Sequence, residues 1–168
     1  MLKRLVGKLF GFEAEIIRLE EQIDELSFDD AFGMWTRGAF LQFCHVMPRG
    51  PRIVAFIDLN KIHILNEEYG YVEVDHRVRE TFAAPFRRRS DVVARWYSGD
   101  EIVILFDSEV EGAEGKMAEL GKSAAKQGLA FYHALGEWEV GKAGIENVVG
   151  ELAAKVAAMK GGSSRTSK

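Results

Sequence analysis

Along the first 28 residues apolar side chains recur at Leu5, Leu9, Phe12, Ile16, Leu19, Ile23 and Leu26, in alternating steps of four and three. That spacing predicts a helix with a narrow heptad seam, about three heptads long, with Glu, Arg and Gln on its other faces. Gly7 and Gly11 weaken its first half. We read the seam as a dimerising helix over residues 1–28. A single amphipathic helix lying on its own domain is the plainer alternative. Lys3, Arg4 and Lys8 beside "LVGKLFGF" leave a short membrane-surface foot as a third.

From Asp29 the pattern changes to alternating strand and helix signals. "GAFLQFCHVM" carries apolar residues at helical spacing, and "RIVAFIDL" is a compact β-branched run ending in Asp58. "KIHILNEEYGY" reads as a short helix or loop stopped by Gly70. Val74, Val78, Phe82 and Phe86 then mark a helix that Pro85 frays near its end. "DVVARWY" and "EIVILF" form paired strands, "EGAEGKMAELGKSAAKQG" a helix, "LAFYHALGEW" a last strand and "IENVVGELAAKVAAMK" a last helix. Residues 29–160 are therefore expected to form one α+β domain, a palm or ferredoxin-like βαββαβ core with helices flanking a sheet that contains antiparallel pairs. Residues 161–168, "GGSSRTSK", read as a disordered tail.

In that topology the third strand lies antiparallel beside the first, so the hairpin tip "SGDE" falls at the same sheet edge as the end of the first strand. Asp58, Asp100 and Glu101 are thereby expected to converge. Such a carboxylate group is costly unless a cation neutralises it. Palm-type nucleotidyl transferases hold their metals at this place.

Composition narrows the choice without deciding it. The chain has 168 residues, 47% apolar and 29% charged, enough for one well-packed domain. A net charge of −4 argues against a nucleic-acid polymer as partner. Cys44 is the single cysteine, so no internal disulfide forms and a reducing, cytoplasmic setting is expected. No apolar run approaches the roughly 18 residues that span a bilayer. His63, His76 and His133 show no metal-ligand grouping. Trp35, Trp96 and Trp138 read as packing anchors, and Cys44 as a small buried hydrophobe.

Four ordered blocks resemble the GGDEF family of diguanylate cyclase domains. "SGDEI" (Ser98 to Ile102) resembles the signature itself. "DDAFGMWTR" resembles the family opening D-x-L-T-G-L-x-N-R, keeping Asp29, Gly33 and Arg37. "FIDLNKIHILNEEYGYVEVD" is similar to D-x-D-x-F-K-x-x-N-D-x-x-G-H-x-x-G-D, keeping Asp58, Asn66, Gly70 and Asp75. "RRSDVVAR" resembles the R-x-x-D segment before the signature strand.

This resemblance implies condensation of two GTP into cyclic di-GMP across a dimer, with Mg2+ (or Mn2+) as cofactor. Asp58, Asp100 and the Leu59 carbonyl would then be metal ligands and Glu101 a catalytic neighbour. Asn66 and Asp75 would read guanine, and Ser98, Gly99, His63 and Lys160 would line the substrate. Arg88 and Asp91 would form an inhibitory site for cyclic di-GMP. An ionised Asp75 suits guanine, whose N1–H and amine are donors that adenine lacks there. With no sensor domain ahead of the helix, input is expected through the helix or a partner chain.

The departures from the family pattern are specific. Ser98 replaces a glycine, and both Trp96 and Tyr97 stand where the family has one residue, which implies a bulge or a shifted turn. Asn60 replaces the second aspartate of D-x-D, and His63, mostly neutral at pH 7, replaces a phosphate lysine. Tyr71 and Val74 replace a histidine and a glycine, and Val74 is expected to narrow the guanine pocket. The last helix keeps Lys160 but lacks the family's Asp and Tyr, and Arg165 falls out of register. A degenerate domain that binds GTP or cyclic di-GMP as a signalling module is the alternative reading.

Overall fold

Residues Gly50–Leu59 form β1, and the run Ile53 to Ile57 is buried on both faces of the sheet. An alternating pattern would leave one face wet, whereas this uninterrupted apolar run needs cover on both. In the computed structural model, which describes residues 27–86, 90–97 and 99–163 together with Glu15 and Arg18, β1 sits inside a four-stranded sheet. Its partners are β2 (Val92–Arg95), β3 (Glu101–Phe106) and β4 (Phe131–Val140). The order is β2-β3-β1-β4 and every neighbouring pair is antiparallel. This is the α+β architecture expected from the sequence.

Among the described residues, five α-helices cover the sheet. Helix α1 (Arg37–Val46) starts where the Thr36 hydroxyl accepts from the Ala39 amide. With α5 (Ile145–Ser163) it covers one face, where Phe40, Cys44, Val149, Leu152 and Val156 meet Val54, Phe56, Val103 and Leu105. On the other face lie α2 (Ile62–Tyr69), α3 (Tyr71–Val78) and α4 (Val110–Lys126). There Val74, Val78, Phe82, Met117 and Leu120 pack on Ile57, Ile102, Ile104 and Phe106. Burying each such side chain contributes roughly 1.5–3 kcal/mol, and these two clusters hold the sheet between helices.

Two boundaries differ from expectation. The helix predicted through Phe86 keeps α-geometry only to Val78, then widens into a π-turn over Arg79–Ala83 and tightens into a 3-10 turn over Ala84–Phe86. Pro85 has no amide to offer the Thr81 carbonyl, and its ring crowds that carbonyl, so the regular ladder cannot continue. The last helix runs through Ser163, so the first three residues assigned to the tail are helical.

Most of the predicted amino-terminal helix, with its seam, lies outside the described residues, as do Arg88, Ser98 and Arg165. Glu15 and Arg18 are helical and form an exposed ion pair at 3.0 Å. Cys44 is buried, which pushes its thiol up to about 12. Trp96 and Trp138 are packing anchors, the latter donating its indole N–H to the Ala143 carbonyl at 2.8 Å. Val74 is only 1% exposed and belongs to the core, so it does not narrow a surface pocket. Among the described residues no helix is long and apolar enough to cross a membrane.

Candidate functional site

The carboxyl end of β1 and the β2–β3 tip meet by backbone pairing. Asp58 lies directly opposite Glu101, and the Leu59 amide donates to the Asp100 carbonyl at 2.8 Å. Pairing between β2 and β3 continues past Arg95–Ile102, because the Trp96 amide donates to the Glu101 carbonyl at 2.9 Å. Strand pairing thus runs through Trp96 on one side and Glu101 on the other, with Gly99 and Asp100 in the turn between them. Tyr97 opens that turn, its amide donating to Glu101 Oε2 at 3.3 Å. The topology therefore delivers Asp58, Asp100 and Glu101 to one rim.

A lysine reaches the same rim from the far end of the chain. Lys160, near the end of α5, donates from Nζ to Asp58 Oδ1 at 2.6 Å, and the Asp58 side chain is only 16% exposed. This ammonium is the cation that neutralises Asp58 here. Among the described residues no three His, Cys, Asp or Glu side chains stand together closely enough to hold a metal ion. Magnesium asks for less: it is commonly held by one or two carboxylates, with nucleotide phosphates and waters completing an oxygen octahedron. Asp58, Asp100 and the Leu59 carbonyl offer hard oxygens of the type such an ion takes.

Asn66 and Asp75 are carried by α2 and α3, which break at Gly70 with φ +82°. Asn66 Oδ1 is buried and has no hydrogen-bond partner, an unusual state for a buried amide oxygen. Burial raises the Asp75 carboxyl above its ordinary range; Arg95 and Arg79 oppose the shift and Asp29 adds to it. Asp75 thus shares a charged neighbourhood with the Asp29–Arg95 ion pair at 2.6 Å. The Arg95 guanidinium also lies over Phe32 at 4.7 Å, and a side chain at Gly99 would meet it at 3.1 Å. Arg79 donates to the Asp30 and Ala31 carbonyls, tying the 29–33 segment to this wall.

Other sequence-derived candidates have different surroundings. His63 is exposed on α2. Asp91 is 3% exposed and both its oxygens are occupied, one by the Asp107 amide at 2.9 Å and the other by Lys116. The Asp91 carboxylate, expected at an inhibitory site, is thus engaged within the fold, and Arg88 lies outside the described residues.

Sequence reasoning did not assign a role to Arg37, Arg95 or Lys116. Arg37 stacks on Trp96 at 4.8 Å and Tyr97 at 4.3 Å, donates to the Tyr97 hydroxyl at 2.8 Å and pairs with Glu146. It fastens the enlarged hairpin to α5. The coincidence of a retained arginine with two adjacent aromatics was the signal for that contact; nothing local pointed to Lys116.

No family model matches the chain, and no curated protein matches it in sequence. Solved structures do. The coiled coil and GGDEF domain of DgcB from Caulobacter crescentus, in complex with c-di-GMP, is 19% identical with a TM-score of 0.68, covering 94% of this chain and 95% of that one. Diguanylate cyclase SiaD from Pseudomonas aeruginosa, in complex with its activator SiaC, is 17% identical with a TM-score of 0.65, over 95% of this chain and 69% of that one. The GGDEF domain of FimX from Pseudomonas aeruginosa is 20% identical with a TM-score of 0.56, over 79% of this chain and 91% of that one. The chain has the GGDEF-domain fold.

Proposed function

We propose that this GGDEF-fold protein is a diguanylate cyclase that condenses two GTP into cyclic di-GMP, each domain presenting one nucleotide to the other. The carrying observation is the rim itself: Asp58 in register with Glu101, and the Leu59 amide bonded to the Asp100 carbonyl. In this reading Asn66 and Asp75 hold the guanine edge. The buried, unpartnered Asn66 Oδ1 supports that role, since it awaits a donor. Lys160 faces the phosphates, Gly99 lets the nucleotide approach the tip, and Arg37 and Arg95 hold the hairpin that aims Asp100. Mg2+ or Mn2+ on Asp58, Asp100 and the Leu59 carbonyl would neutralise the triphosphate and acidify the attacking 3′-hydroxyl. The heptad seam over residues 1–28 would bring two domains together, and a partner protein or sensor would act through it. Asp91 serves as an internal anchor in this reading rather than as a product-binding acid.

A second reading, a guanine-nucleotide-binding signalling module without turnover, is favoured by one feature: exposed His63 stands where a phosphate lysine would be needed. The assay separates them. Purified protein with GTP and Mg2+ is expected to release pyrophosphate and cyclic di-GMP, and Asp100→Ala to abolish both. GTP binding by calorimetry with no product at any protein concentration would leave the second reading alone.

A further inference from the structure

Resting on that reading of the rim, we infer that Lys160 and a divalent cation compete for the Asp58 carboxylate, and that nucleotide phosphates draw the lysine off it. The two partners differ in freedom. Asp58 has its backbone paired on both sides within the sheet, to Glu101 and to Tyr132, and its short side chain is 16% exposed, so its carboxylate has little range of movement. The Lys160 side chain is 37% exposed and carries its charge on a flexible four-carbon stem, so it can leave without moving α5. Two cations on one carboxylate oxygen would repel strongly in a half-buried setting. A bare cation must therefore displace the ammonium with nothing to receive it. A cation carried by a triphosphate supplies the ammonium with a new anionic partner in the same step.

The consequence is an order of events. Free metal binds weakly, the metal–nucleotide complex binds well, and Asp58 is kept neutralised in between. Lys160 is a positioning residue for metal entry as well as a phosphate contact.

Binding of Mn2+ alone to the full chain, read by electron paramagnetic resonance and calorimetry without nucleotide, tests this. Lys160→Gln is expected to tighten Mn2+ about tenfold, the scale of losing one charge-assisted competitor. Lys160→Arg, which keeps the charge, is expected to stay at the wild-type value. Adding Asp58→Asn to Lys160→Gln should erase the gain, and Mn2+–GTP should bind Lys160→Gln more weakly than wild type. Circular dichroism melts confirm that each variant folds. Equal or weaker Mn2+ binding in Lys160→Gln overturns the inference, as does a gain that survives Asp58→Asn or an absence of Mn2+ binding in both proteins. If Lys160→Gln gains Mn2+ while neither protein binds GTP, the competition stands and the cyclase reading falls. If wild type makes cyclic di-GMP and the gain is missing, the reverse holds.

Discussion

Two carboxylates show how differently single residues can be used in this fold. Asp75 is held above the ordinary carboxylate range, chiefly by burial. The folded chain thus binds this proton more tightly than the unfolded chain does. Its stability contribution is complete at low pH and lost as pH rises through the unfolded value to the raised one. Asp75→Asn should therefore melt higher than wild type at neutral pH, with the two curves converging at about pH 3, where both forms are neutral. A lower melting temperature for the variant at neutral pH would contradict this. Asp91 is used differently, with both oxygens engaged, one by Lys116 and the other by the Asp107 amide. Asp91→Ala leaves a partly buried ammonium and an amide without partners, and is expected to cost about 3 kcal/mol in a denaturant titration. That burial was not legible in "RRRSD", a basic, polar stretch with no apolar pattern. Only the fold, by bringing α4 across β3, supplies the lysine.

At the level of elements, the strands were legible and the helix breaks less so. "RIVAFIDL" and "EIVILF" are β-branched runs that no helix period explains, and the tip joining "DVVARWY" to "EIVILF" follows from its turn residues. The change from α3 to a π-turn was not visible. Pro85 marks the trouble, but how the chain accommodates it depends on Thr81, Phe82 and Ala83 finding buried positions. Gly70 is clearer. It joins α2 to α3 at φ +82° and ψ 156°, a conformation closed to residues with a Cβ although space around it is open. Gly70→Ala should lose about 1–3 kcal/mol by denaturant unfolding. Because this joint fixes α2, which carries Asn66, relative to α3, which carries Asp75, the proposed reading expects GTP affinity to fall with it, and an unchanged affinity would separate the joint from guanine recognition.

For the whole molecule, the order β2-β3-β1-β4 was inferable because a split βαββαβ arrangement leaves few other ways to bury both faces of β1. What it could not convey is long-range reach: Lys160 and Asp58 stand 102 residues apart and meet only because α5 runs back across β1. The proposed cyclase reading needs two domains for two nucleotides, so under it specific activity should rise with protein concentration and level off as dimers fill. Turnover proportional to protein at every dilution, with a monomer in sedimentation, would refute that requirement.

The approach of α5 to the sheet has a mechanical corollary. A methyl group on Gly136 in β4 would stand 3.0 Å from Leu152 Cδ2, too near for an undisturbed fit. Lys160 lies eight residues beyond Leu152, about 12 Å farther along the same rod. A side chain at 136 would press on the helix at Leu152, and any tilt it forced would carry the ammonium through a larger arc, so one missing side chain in mid-sheet bears on where a charge lands at the rim.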